Sequence, residues 1–105
     1  MANIMKMMKQ VSSMQKNMAK AQEELAATEV AFSSGGGAVT VRAHGDGRVC
    51  GISISPEVLK DGDASLLEDL ILTAVVGAQE KAQELSAQTM NKLTAGLNLP
   101  PGFGI

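Results

Sequence analysis

Residues 35–56 read GGGAVTVRAHGDGRVCGISISP, and the alternation inside this stretch constrains everything on either side of it. Val39, Val41 and Ala43 alternate with Ala38, Thr40, Arg42 and His44; further on, Cys50, Ile52 and Ile54 alternate with Val49, Gly51 and Ser53. A period of two is the pattern of a strand, whose successive side chains point to opposite faces. Between the runs lies Gly45-Asp46-Gly47, and Asp-Gly suits hairpin turns because these need positive φ, where glycine meets no steric penalty. The runs are therefore expected to pair antiparallel, as strands over 37–44 and 48–55. Pro56 has no N–H for a ladder and closes the second. Ahead of them Thr28 to Ser34, TEVAFSS, reads as a further strand, joined through the Gly35-Gly36-Gly37 turn. The expectation is a three-stranded antiparallel meander.

On the N-terminal side, Ile4, Met7, Val11, Met14, Met18, Ala21 and Leu25 follow the alternating three- and four-residue spacing of a coiled-coil seam. This predicts a helix over 3–27. Lys9, Lys16 and Lys20 cluster on the side opposite the seam, with Lys6, Ser13 and Asn17 beside them. Two readings of that row stand open: a solvated face that keeps a sticky helix soluble, or a set of phosphate donors. The methionines sit at core spacing, with no soft-metal ligand cluster beside them, and read as an adaptable seam.

On the C-terminal side, Glu57 to Gly62 reads as a polar loop, and a second helix is expected over 64–95. Asp63 or Ser65 caps it, Ser65 with Glu68 having the capping-box spacing. Leu67, Leu70, Ile71, Ala74 and Val75 form one broad apolar face, while Leu66, Leu72 and Val76 are left over behind it. A helix apolar on more than one side is buried on more than one side, so one face covers the sheet and the other calls for a second subunit. Beyond Gly77 the stripe narrows to Ala78, Ala82, Leu85, Thr89 and Leu93, a half able to project from the body. Residues 1–96 read as one domain and 97–105 as an irregular Pro/Gly tail.

The 105 residues contain two aromatics, Phe32 and Phe103, so the core is aliphatic and thin, and a homo-oligomer is expected. The single cysteine, Cys50, excludes an intrachain disulfide framework and suits a reducing compartment. Lys6 and Lys9 interrupt the opening apolar residues, so no secretory leader is read there, and no apolar run is long enough to span a bilayer. The formal net charge of −2 hides an asymmetry: residues 1–22 hold four lysines and no acid, whereas residues 26–105 hold five basic and nine acidic side chains.

Catalytic equipment is sparse. His44 reads as an exposed strand-end residue, and Cys50 as a small buried hydrophobe. A turn centred on Asp46 and Gly47 places His44 nearer Val49 than Cys50, with His44 and Cys50 on opposite faces. Gly35-Gly36-Gly37 lacks the following Lys-Ser/Thr and the helix of a phosphate-binding loop. No enzyme, cofactor, metal site or small-molecule substrate is expected.

Several pieces then recur in a telling order: Met5-Lys6-Met7-Met8-Lys9-Gln10, Met14-Gln15-Lys16-Asn17-Met18, Gly36-Gly37-Ala38-Val39, Ile54-Ser55-Pro56-Glu57-Val58-Leu59, Leu67-Glu68-Asp69-Leu70 and Leu99-Pro100-Pro101-Gly102-Phe103. Together they resemble the YbaB/EbfC family of bacterial nucleoid-associated proteins over nearly the whole chain. The resemblance implies an α+β fold, with an α-β-β-β-α protomer in an intertwined homodimer. It also implies a cytoplasmic, nucleoid location and binding to double-stranded DNA with limited sequence preference, in nucleoid organisation or gene regulation. Lys6, Lys9, Lys16, Lys20 and Arg42 are the candidate DNA contacts. Ile4, Met7, Val11, Met14, Met18, Leu66, Leu72 and Val76 are the candidate dimer interface. A competing reading is a protein-interaction dimer that uses the methionine-rich helix or the Phe103 tail, with incidental DNA contact; a third is a redox role for Cys50.

Overall fold

The computed structural model describes residues 2–96, with side-chain environments from Asn3 to Leu93. Helix α1 (Ala2–Ala27) leads into strands β1 (Glu29–Ser34), β2 (Val39–His44) and β3 (Val49–Ile54), then a short helix α2 (Pro56–Lys60) and the long helix α3 (Ala64–Gly96). The fold is α+β, with a three-stranded antiparallel sheet in the order β1-β2-β3. The molecule is elongated, 72 × 24 × 16 Å. The expected Pro/Gly tail, with Phe103, lies outside the described residues. Among the described residues no helix is long and apolar enough to cross a membrane.

The alternation of β2 fixes its two faces. Val39, Val41 and Ala43 are fully buried against Ala74 and Ala78 of α3, with Val30, Phe32, Leu67, Leu70, Ile71 and Val75 packed around them. Burying each valine contributes about 1.5–2 kcal/mol. Gly77 lets the helix approach this closely, because a Cβ there would run into the Phe32 ring. Ser34 ties the layers together, its hydroxyl donating to the Leu70 carbonyl at 2.6 Å.

Helix α3 lies over β1 and β2 and reaches β3 only marginally. Ile52 shows the consequence: it pairs with the fully buried Val41 yet is 49% exposed. Leu66, Leu72 and Val76, the apolar side chains left over on α3, are exposed as well.

One local feature differs from the sequence expectation, and a second decides between the two caps it offered. Residues expected to form a polar loop include α2, which Ser55 caps by accepting from the Glu57 N–H, with Pro56 in the first turn. Proline there forfeits only an N–H that would lack a helical partner anyway. At the start of α3, Ser65 lies within the helix and Asp63 does the capping, its carboxylate accepting from the Leu66 N–H at 3.0 Å.

Candidate nucleic-acid interface

The seam of α1 is divided in two by what it meets. Its C-terminal half runs antiparallel to the distal half of α3, so that half of α3 lies against α1 instead of projecting alone. A cleft of about 380 Å³ is lined by Gln22, Leu25, Ala26, Gly45, Asp46, Ser86 and Met90. A neighbouring cleft of about 430 Å³ is lined by Asn17, Lys20, Ala21, Glu24, Thr89, Lys92 and Leu93. Ala21 and Leu25 are buried there, each 6% exposed. The end of the helix docks on the hairpin through Gly45, whose N–H donates to the Leu25 carbonyl at 2.8 Å. A Cβ on Gly45 would lie 2.6 Å from that oxygen.

The N-terminal half has no such cover. Every residue from Asn3 to Ser13 is exposed, including Ile4 at 62%, Met7 at 62% and Val11 at 52%. Met14 is half-buried and Met18 exposed. An aliphatic stripe that emerges from a packed junction and continues into solvent is unfinished burial.

Lys6, Lys9, Lys16 and Lys20 are all exposed, and none is held in an ion pair among the described residues. Lys20 shares its cleft with Lys92 of α3 and with Glu24. Arg42 stands apart on the outer face of the sheet, its guanidinium lying across Gly51 on the neighbouring strand, where any Cβ would collide with it. Lys81 is engaged, its ammonium donating to the Ala31 carbonyl at 2.9 Å and sitting 5.9 Å from the centre of the Phe32 ring.

The hairpin rim overturns the expected separation of His44 from Cys50. Glu29 pairs with His44 across β1 and β2. Between β2 and β3 the register runs Arg42 to Gly51 and then Ala43 to Val49, so Cys50 is the extra residue of a β-bulge. Inserting one residue reverses the facing, and Cys50 joins His44 and Glu29. The Cys50 thiol donates to Glu29 Oε1 at 3.3 Å, and one ligand atom from each of the three residues lies within 4.8 Å of the others. Cys50 is exposed, not a buried hydrophobe. Crowding by neighbouring atoms and then the Glu29 carboxylate push its pKa above the usual thiol value, while Arg42 and Arg48 pull it down. His44 Nδ1 is shut off from solvent and has no hydrogen-bond partner.

Residues 1–97 match the model of the YbaB/EbfC DNA-binding family. The chain belongs to that family. It is 45% identical over 103 residues to a nucleoid-associated protein of Rhizobium meliloti, covering 98% of this chain and 96% of that one. It is 44% identical over 102 residues to a nucleoid-associated protein of Akkermansia muciniphila, covering 97% and 98%. A crystal structure of an uncharacterized protein from Helicobacter pylori shares the fold, with a TM-score of 0.71 at 20% identity over 80% of this chain and 88% of that one.

The YbaB/EbfC family is a DNA-binding family and not an enzyme family, which turns attention to the cations. The structure sets Lys20 and Lys92 on one cleft, strings Lys6 and Lys9 along the free part of α1 with Lys16 exposed just beyond it, and leaves Arg42 on the sheet. Lys92 is not among the candidate contacts read from the sequence. The signal was present in outline, since Lys92 adjoins Leu93 on the narrow stripe of α3, but the antiparallel contact with α1 has no counterpart in local periodicity.

Proposed function

We propose that this YbaB/EbfC chain acts as a homodimer that binds double-stranded DNA mainly through phosphate contacts. A second copy covers Ile4, Met7, Val11, Met14 and Met18 on α1, together with Leu66, Leu72 and Val76 on α3. The observation that carries the reading is the free half of α1, apolar on one side and bearing unpaired lysines on the other. Lysine supplies a point charge and not a base-edge code, so sequence preference is limited. The setting is the nucleoid of the cytoplasm, in organising DNA or regulating genes. Lys92 joins Lys6, Lys9, Lys16 and Lys20 as a contact, and Arg42 is an auxiliary one.

Contact with about four to six phosphates per dimer gives a log–log salt slope of roughly −4 to −5. Titrating duplex DNA at two salt concentrations against the K9Q/K16Q/K20Q variant tests this. The expected outcome is weaker binding with a slope shallower by at least about 2; unchanged affinity and slope overturn the assignment. The exposed stripe of α1 also favours a second reading, a dimer that serves as a protein-interaction module. A partner retained in a pull-down from nuclease-treated lysate supports that reading, because it survives loss of nucleic acid.

A further inference from the structure

The Glu29, His44 and Cys50 side chains come from three different strands, and no part of the DNA-binding reading uses them. Glu29 is the first residue of β1, His44 the last of β2, and Cys50 the extra residue that the bulge in β3 turns toward them. We propose that this carboxylate, imidazole and thiol form a binding site for a divalent transition-metal ion of the zinc class, at the end of the sheet where α1 docks.

Geometry supports it. In a tetrahedral zinc site with bonds of 2.0–2.3 Å, the ligand atoms lie about 3.3–3.6 Å from one another. Cys50 Sγ and Glu29 Oε1 are already 3.3 Å apart, and all three ligand atoms fall within 4.8 Å of one another. The proposed site closes the remainder by side-chain rotation of its two exposed members, Glu29 and Cys50.

The donor chemistry agrees. Thiolate and imidazole together select the zinc class over magnesium or calcium, which take oxygen sets. One thiolate and one carboxylate balance a divalent charge, with a neutral imidazole completing the set. The Cys50 thiol proton, now directed at Glu29, leaves to solvent as the sulfur–metal bond forms. Arg42 and Arg48, close enough to act on Cys50, oppose the approach of a cation but favour the thiolate it needs. His44 also carries the mark of an incomplete environment, a ring nitrogen that is buried and without a partner. A fourth position is left to solvent, as in metal sites with three protein ligands.

The sequence alone predicts no metal site and sets His44 and Cys50 on opposite faces; the bulge brings them to one. The inference is independent of DNA binding, and its test reads the metal alone. The full-length chain is titrated with cobalt(II) under reducing conditions and absorption is followed. The expected result is a thiolate-to-cobalt charge-transfer band that saturates at one ion per chain and is displaced by zinc. Cys50→Ser abolishes the band, and His44→Gln and Glu29→Gln each weaken binding by at least about tenfold. Absence of the band at stoichiometric cobalt overturns the proposal, as does a band of unchanged affinity in His44→Gln, which would mean a lone thiolate. A second measurement needs no substitution: zinc slows alkylation of Cys50 in the unaltered chain and excess chelator restores it. Alkylation indifferent to zinc also overturns the site.

Discussion

The sheet with its covering helix and the free half of α1 are built from similar aliphatic side chains and end in opposite states. Val39 and Val41 are completely buried because β2 is central, with a strand on each side and α3 across its inner face. Ile4, Met7 and Val11 are each more than half exposed, although their spacing is as regular as anything in the sheet. A period describes which residues share a face; it does not say what covers that face. In the sheet the cover is supplied within the chain, and along α1 it is supplied only as far as Ala21 and Leu25. The proposed work of the molecule lies where its own packing stops, since that is where apolar surface and unpaired ammonium groups remain on offer.

The sharpest way to break this comparison is to make one chemical change in both regions. Val41→Asp puts an unpaired charge into the core and costs about 3–5 kcal/mol, a large part of the stability of a domain this size. It is measured as a lowered urea midpoint. Val11→Asp makes the same change on the open stripe. The expected result is a native far-ultraviolet spectrum with the mass in sedimentation shifted toward monomer. A Val11→Asp chain as unstable as Val41→Asp would mean that the stripe is packed within the protomer after all.

Gly77→Ala probes the closed region more finely. Alanine adds about 1 kcal/mol of helix propensity, but its methyl group must displace the Phe32 ring, and overpacking costs about 1–3 kcal/mol. The net expectation is a loss of up to about 2 kcal/mol, seen in thermal unfolding. Were the substitution stabilising, α3 and β1 would be less tightly apposed than the structure has them.

How much was legible follows the same division. The β2 alternation and the broad face of α3 were readable because each is a local period whose cover lies within the chain. One local signal went unused, and another left two candidates open. Ser55-Pro56-Glu57 is a helix start by its cap and its first-turn proline, but five residues are too few to show periodicity. Asp63 and Ser65 are both good caps, and the choice between them depends on where the chain leaves α2. The bulge at Cys50 had no signal of this kind, because Val49-Cys50-Gly51-Ile52 reads equally well in either register, and inserting one residue changes every facing beyond it. Lys92 belongs with the features that need the tertiary contact first.

The hairpin rim is neither closed nor open, and the smallest expected effect is found there. Cys50 is exposed by area, yet neighbouring atoms remove part of its water and Glu29 takes its proton as a hydrogen bond, so the neutral thiol is favoured. Replacing Glu29 with Gln removes both a negative charge and a carboxylate acceptor and leaves the crowding in place. In chelator, the pH midpoint of Cys50 alkylation should therefore fall part of the way toward that of a free thiol, whereas Arg42→Gln should raise it. The sign for stability follows from linkage. With the folded pKa above the unfolded one, the unfolded chain loses its thiol proton first as pH rises, so the folded state weakens as pH climbs past the ordinary thiol value. Glu29→Gln should reduce that loss at alkaline pH. A midpoint that ignores Glu29 would place the carboxylate away from Cys50 and dissolve the cluster, while leaving the contrast between the sheet and α1 untouched.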